Sequence, residues 1–211
     1  MNNFVEVKAN AISISRRKLV LGVGINDSDY ITDRTINGKR MTCPFYVKWK
    51  SMLDRCYSDK HQAKNPTYIG ATVADEWLTF SNFKAWMSTK AWKGMELDKD
   101  IIKPGNKHYS SDNCCFVTRE LNRLLNNNDA SRGDCPKGVY FKKETSKYES
   151  YCNYNGKRKH LGYHATPEAA SLVYRKYKHA LVTKIAIEQT DERVEHGLML
   201  HAALILKGDN H

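Results

Sequence analysis

The stretch Tyr148-Glu149-Ser150-Tyr151-Cys152-Asn153-Tyr154-Asn155-Gly156-Lys157-Arg158-Lys159-His160-Leu161-Gly162-Tyr163-His164-Ala165-Thr166-Pro167-Glu168-Ala169 decides the fold of the C-terminal half. Residues 148–154 read as a strand, Asn155-Gly156 as a tight hairpin turn, and residues 159–163 as the returning strand. Residues 138–141 supply a third, preceding strand. Thr166-Pro167-Glu168 then opens a helix, with a capping hydroxyl, a proline at the first helical position and an acid in the first turn. Side chains alternate across a strand, so Tyr148, Ser150 and Cys152 share one face and Glu149, Tyr151 and Asn153 the other. The first set suits packing under the helix, whose apolar stripe is read as Ala169, Val173, Tyr177, Ala180 and Leu181.

The charge distribution gives this stretch a function class. The 211-residue chain carries a formal net charge of +11. Between residues 136 and 186, eleven Lys or Arg stand against three Glu, so most of the excess lies in about a quarter of the chain. The outer sheet face and its neighbouring turn collect Lys137, Tyr140, Lys142, Tyr151, Asn153, Arg158 and His160. Cations, tyrosines and an amide on one face can hold phosphates and reach base edges in a DNA major groove.

Elsewhere the composition sets bounds. A hydrophobic fraction of 41% with four Trp, twelve Tyr and six Phe suffices for ordinary cores. No apolar run is long enough to span a membrane, and the start Met1-Asn2-Asn3-Phe4-Val5-Glu6 is not a signal peptide. Both point to the cytoplasm. Cys43, Cys56, Cys114, Cys115, Cys135 and Cys152 contain no C-x-x-C pair and are read as reduced thiols. Zinc is not expected; a site from Cys43, Cys56 and Cys114 or Cys115 is the alternative.

Along the chain, residues 1–40 read as a β-rich segment. Ala11-Ile12-Ser13-Ile14-Ser15 alternates, residues 18–23 are apolar and β-branched, and Asn37-Gly38 signals a turn. Pro44 then opens a helix carrying Phe45, Trp49, Met52, Leu53 and Cys56, and a second helix starts at Thr79 or Ser81 with Phe80, Phe83, Trp86 and Met87. A strand over 95–102, a Pro104-Gly105-Asn106 turn, a strand over 113–117 and a helix capped by Thr118 with Leu121, Leu124 and Leu125 make a ββα pattern. The boundaries are 1–40, a domain over 41–128, a linker over 129–135, the basic unit over 136–187 and a C-terminal segment over 188–211. In that last segment Val194, Leu198, Ala202 and Ile205 form a stripe that fits the rest of the chain or a homodimer partner.

Two stretches resemble known families. Lys137-Gly138-Val139-Tyr140, Ser146-Lys147-Tyr148, Gly156-Lys157-Arg158-Lys159-His160-Leu161-Gly162-Tyr163 and Thr166-Pro167-Glu168-Ala169-Ala170 resemble the ethylene-response-factor (AP-two) DNA-binding domain. That resemblance implies a three-stranded antiparallel sheet in the major groove of double-stranded DNA, backed by a helix. By position it implies contacts from Lys137, Tyr140, Lys142, Tyr151, Asn153, Arg158 and His160, several of them standing where plant members carry Arg or Trp.

Leu97-Asp98-Lys99-Asp100-Ile101, Asn106, the run from Tyr109 to Val117 and Asn122 resemble the HNH nuclease motif, which phage and homing endonucleases often join to AP-two-type domains. The implied fold class is α+β: N-terminal strands and helices, an HNH-like ββα-metal core, then the three-stranded sheet with its helix and a C-terminal helix. The implied cofactor is Mg²⁺ or another divalent metal, held by Asp98 and Asn113, with Asp100 as a further ligand and Asn122 at the last polar position. The general-base position holds Lys99, an ammonium near neutral pH, and His108 is the substitute imidazole. The reading is a DNA-binding protein of phage or mobile-element type with impaired or absent cleavage. Its rivals are an active HNH homing-type endonuclease and an interaction protein acting on a host protein.

Overall fold

In a computed structural model the described residues are 4–126 and 135–208. The linker read at 129–135 lies outside them except for Cys135. The elements run α1 (Ala11–Ser15), β1 (Asp33–Ile36), β2 (Lys39–Thr42), α2 (Pro44–Tyr57), α3 (Asp59–Lys64), β3 (Thr72–Val73), α4 (Phe80–Ser88), β4 (Glu96–Asp98), β5 (His108–Tyr109), β6 (Cys115–Val117), α5 (Arg119–Leu125), β7 (Val139–Lys142), β8 (Lys147–Tyr154), β9 (Lys157–His164), α6 (Pro167–Ile187) and α7 (Glu192–Lys207). The chain is a mixture of helices and small sheets, an α+β protein. No helix among the described residues is long and apolar enough to cross a membrane.

Two compact units divide the chain: Met1–Lys93 with Asn106–Phe116, and Gly94–Gly105 with Val117–His211. The stretch 41–128 is therefore shared between them.

The first unit is built around aromatic rings. On α2, Trp49, Met52, Leu53 and Cys56 are buried, as the spacing predicts; on α4, Phe80, Phe83 and Met87 are. Trp49 packs against Phe80 and Trp77 against Phe83, with ring centroids 5.4 and 5.1 Å apart. The indole N–H of Trp49 donates to Trp77 O at 2.7 Å, so this buried donor is satisfied.

The N-terminal expectation needs correction. Residues 11–15 form a helical turn and not a strand: Asn10 caps it, its side chain accepting from Ser13 N at 2.7 Å. Ile12 and Ile14 are exposed, so no buried face rewards an extended alternation. Residues 21–23 form a turn as well, with Leu21 and Gly22 at positive φ, and Val20 before it bridges Gly24. The Asn37-Gly38 signal does close a hairpin, joining β1 to β2 with φ of 49° and 73° at its two central residues.

In the second unit β7, β8 and β9 form an antiparallel sheet in that order, and α6 covers one side. Asn155 and Gly156, at φ 49° and 69°, make the β8–β9 turn. Ser150 and Cys152 are buried on the covered side. The stripe on α6 is displaced one residue from the sequence expectation: Ala170, Tyr174, Lys178, Val182, Ile185 and Ala186 are buried, while Ala169 and Ala180 are exposed. The reason is that α6 is packed on two sides, by the sheet and by α7, and a lysine stands in its buried line. The Lys178 ammonium lies 5.7 Å from the Tyr174 ring centroid.

The α7 stripe is satisfied inside the unit. Val194, Leu198, Ala202 and Ile205 are all buried, and α7 runs antiparallel to α6, with Arg175 donating to Leu206 O at 3.2 Å and His179 to Ala202 O at 3.0 Å. Gly197 lets α7 close on the backbone of residues 101–102; a Cβ there would lie 2.8 Å from Ile102 Cα.

Thr166 caps α6 as the sequence predicts, accepting from Ala169 N at 3.2 Å. Thr166→Ala is expected to cost about 1 kcal/mol, read as a lower urea midpoint at unchanged slope.

Candidate nucleic-acid interface

The side of the sheet opposite α6 is assembled by register. Tyr140 of β7 stands opposite Glu149, and Glu149 opposite Tyr163 of β9. Tyr151 pairs with His160 and Asn153 with Arg158. Directly paired residues share a face, so Tyr140, Lys142, Glu149, Tyr151, Asn153, Arg158, His160 and Tyr163 form one surface. Tyr140 is 57% and Tyr163 46% exposed, large ring areas left to solvent within this unit.

The cations on this surface are oriented by their neighbours. The Arg158 guanidinium lies 3.7 Å from the Tyr151 ring centroid and donates to Glu149 Oε1 at 3.2 Å. His160 Nδ1 meets the same oxygen at 3.0 Å, and its ring packs on Tyr163 with centroids 4.9 Å apart. Lys142 donates to the Tyr163 hydroxyl at 3.3 Å, a bond that raises its ammonium pKa. Burial raises the Glu149 carboxyl, but His160 and Arg158 outweigh it and hold the group below its ordinary value. A π–cation stack, a lysine and an amide thus lie on one face of the sheet.

Six of the seven sequence-predicted contact residues belong to this surface. The seventh, Lys137, lies in the turn before β7 and donates to Asn126 O at 3.0 Å. Tyr163 was missed. Simple alternation puts residues 160 and 163 on opposite faces, but a bulge at Ser150/Tyr151 shifts the pairing and brings both to the same side. The Asn155-Gly156 pair, whose residues take the positive φ the turn requires, is a usable sequence signal for the hairpin; nothing in the sequence marks the bulge.

The nuclease-type residues are distributed differently. Asp98, Lys99, Asp100 and Asn122 belong to the second compact unit, His108 and Asn113 to the first. The strand predicted over 95–102 stops at Asp98, because Asp98 Oδ1 accepts from the backbone N–H of both Asp100 and Ile101 at 2.8 Å. Asp100 consequently does not share a strand face with Asp98. Burial, then repulsion from Asp100, pushes the Asp98 carboxyl well above the usual carboxylate range. Lys99 is buried, its ammonium 3.1 Å from Asp100 Oδ2. His201 Nε2 donates to Asp100 O at 3.0 Å, and burial holds that imidazole below its ordinary value.

Asn122 donates to Glu96 Oε2 at 2.7 Å and accepts from Asn126 at 3.0 Å. His108 Nδ1 meets Thr72 Oγ1 at 2.8 Å, and the Asn113 amide nitrogen donates to His108 O at 3.4 Å. All six cysteines are free thiols. Among the described residues, no three of His, Cys, Asp and Glu converge as a metal-ligand group.

No protein-family model, curated protein or solved structure matches this chain. The chemistry of the surface therefore carries the functional reading.

Proposed function

We propose that the chain is a double-stranded DNA-binding protein, and that the outer face of β7–β9 enters the major groove. One observation carries the reading: a sheet covered by a helix on one side leaves Tyr140, Lys142, Tyr151, Asn153, Arg158, His160 and Tyr163 together on the other. Lysine and arginine neutralise phosphates, the Asn153 amide and the Arg158 fork suit base edges, and the tyrosines give rigid contact area. The excess of eleven basic over three acidic residues between 136 and 186 supplies the long-range attraction. Resemblance to the AP-two domain agrees with this placement.

The HNH-like segment acts in this reading as scaffold, without cleavage, in a protein of phage or mobile-element type. A divalent ion shared by Asp98 and Asp100 would have to compete for Asp98 Oδ1 with two backbone N–H donors and for Asp100 Oδ2 with the Lys99 ammonium. Those residues do not fit a metal bound in the HNH manner, and Lys99, close to Asp100, is a poor general base.

Fluorescence anisotropy of a labelled duplex, titrated with the intact chain at two salt concentrations, tests the binding. Saturable binding that weakens steeply with salt is expected; no binding at low salt would end the reading. Incubation with supercoiled plasmid and Mg²⁺ or Mn²⁺ is expected to leave the plasmid intact. Nicking that disappears in Asp98→Ala and in Asn113→Ala would replace this reading with the active endonuclease.

A further inference from the structure

A face that served only to attract a polyanion would gain nothing from a carboxylate, yet Glu149 sits in its central strand, between Tyr140 and Tyr163. The side chain is 16% exposed, against 52% for Arg158 and 48% for His160, so it lies at the floor of the surface with its cations around it. Oε1 accepts from both Arg158 and His160, at 3.2 and 3.0 Å. Arg158 is thereby fixed twice, by that bond and by its stack on Tyr151. Both restraints reduce the freedom the guanidinium would lose on binding.

In a major groove an ionised carboxylate can only accept hydrogen bonds. It is therefore complementary to the N4 amino group of cytosine, and opposed by the acceptor atoms of guanine and by thymine O4. A guanidinium has the reverse preference and takes guanine O6 and N7. A C·G pair offers both patterns side by side.

We infer that Glu149 is a specificity-determining residue, accepting from a cytosine N4 amino group while Arg158 takes the guanine of the same or the adjacent pair. This rests on the DNA-binding reading above and gives it a sequence preference. At sites that present acceptors, the carboxylate repels them and offsets the charge of Arg158 and His160. Glu149 thus lowers affinity for random sequence and raises the contrast with a C·G-containing site.

The test compares the intact chain with Glu149→Gln and Glu149→Asp, by selection from a duplex library with randomised positions and by anisotropy against a random-sequence duplex. The parent is expected to prefer cytosine at one position by about tenfold. In Glu149→Gln that preference falls to about twofold or less, and random-sequence affinity rises roughly threefold to tenfold because a negative charge has left the surface. Glu149→Asp keeps the charge and shortens the reach, so it is expected to lose the cytosine preference while retaining the parent's low random-sequence affinity.

Equal thermal midpoints in the three chains confirm that the fold is kept. A shifted midpoint directs the comparison to the ratio of cytosine-site to random-site affinity, which a change in folded fraction leaves untouched. An unchanged base preference in Glu149→Gln, or a fall in its random-sequence affinity, would overturn the inference and leave DNA binding standing. Absence of duplex binding by the parent would overturn both.

Discussion

The Arg158→Ala, Lys142→Ala double variant is expected to bind duplex DNA on the order of a hundredfold more weakly than the parent chain at moderate salt. Arg158 contributes in two ways. Its guanidinium is presented flat against Tyr151, 3.7 Å from the ring centroid, and it offsets Glu149. Truncation removes a forked donor and also leaves the Glu149 carboxylate less compensated against incoming phosphate, so the loss exceeds that of one isolated surface cation. Lys142, on β7 and bonded to Tyr163, sits on the other outer strand, so the two changes weaken the surface from both sides.

The two single variants should differ in kind. A lysine at a phosphate lowers affinity nearly uniformly across sequences and reduces the salt slope by about one. An arginine at a base edge lowers it most on the preferred sequence. Anisotropy titrations of each variant over a salt series separate these outcomes, and unchanged affinity in the double variant would remove this sheet from the DNA-binding surface.

Gly138→Ala is expected to produce a large loss of stability. Gly138 has φ of 73°, a region in which an L side chain is strained by about 1–2 kcal/mol. A Cβ would also fall 2.5 Å from Cγ and Cε2 of Tyr174, and closer still to Cδ2. Tyr174 is buried in the middle of α6, so the ring has no free volume to retreat into without displacing the helix from the sheet. Overpacking of this kind adds about 1–3 kcal/mol, for a total of about 2–5 kcal/mol. Gly156→Ala is the natural comparison: φ is 69°, but nothing lies within 4 Å of the new atom, so only the backbone cost of about 1–2 kcal/mol applies. Urea unfolding of the two variants checks the difference; equal losses would show that the Tyr174 contact is not what Gly138 protects.

Much of this unit is legible residue by residue. The Asn155-Gly156 turn, the Thr166-Pro167 helix start and the covered face of Ser150 and Cys152 all follow from signals within a few positions of where they act. The candidate surface is legible to the same extent, because Tyr151, Asn153, Arg158 and His160 fall on one side by alternation and pairing across the turn. Tyr163 was not, since the bulge that turns it outward reflects how β8 and β9 accommodate each other. The helical turn at residues 11–15 misled for a related reason: alternation predicts a strand only where something buries one face, and here nothing does. On α6 the apolar pattern runs one residue out of phase with the buried line because Lys178, a charged residue, occupies a buried position.

The sequence alone determined the strands, hairpin turn and helix start of residues 138–187, the concentration of positive charge and most of the chemistry of the sheet's outer face. Each of these depends on residues close together in the chain, or on composition, and needs no knowledge of distant partners. Tertiary structure decided which side of α6 is buried, that the α7 stripe closes on α6, that Asp98 Oδ1 is bonded to the backbone of its own turn, and that Glu149 holds Arg158 and His160 on a single oxygen. Those features rest on packing between separate elements and on strand register. A shift of one residue in register moves every side chain to the opposite face, and short-range signals cannot specify it.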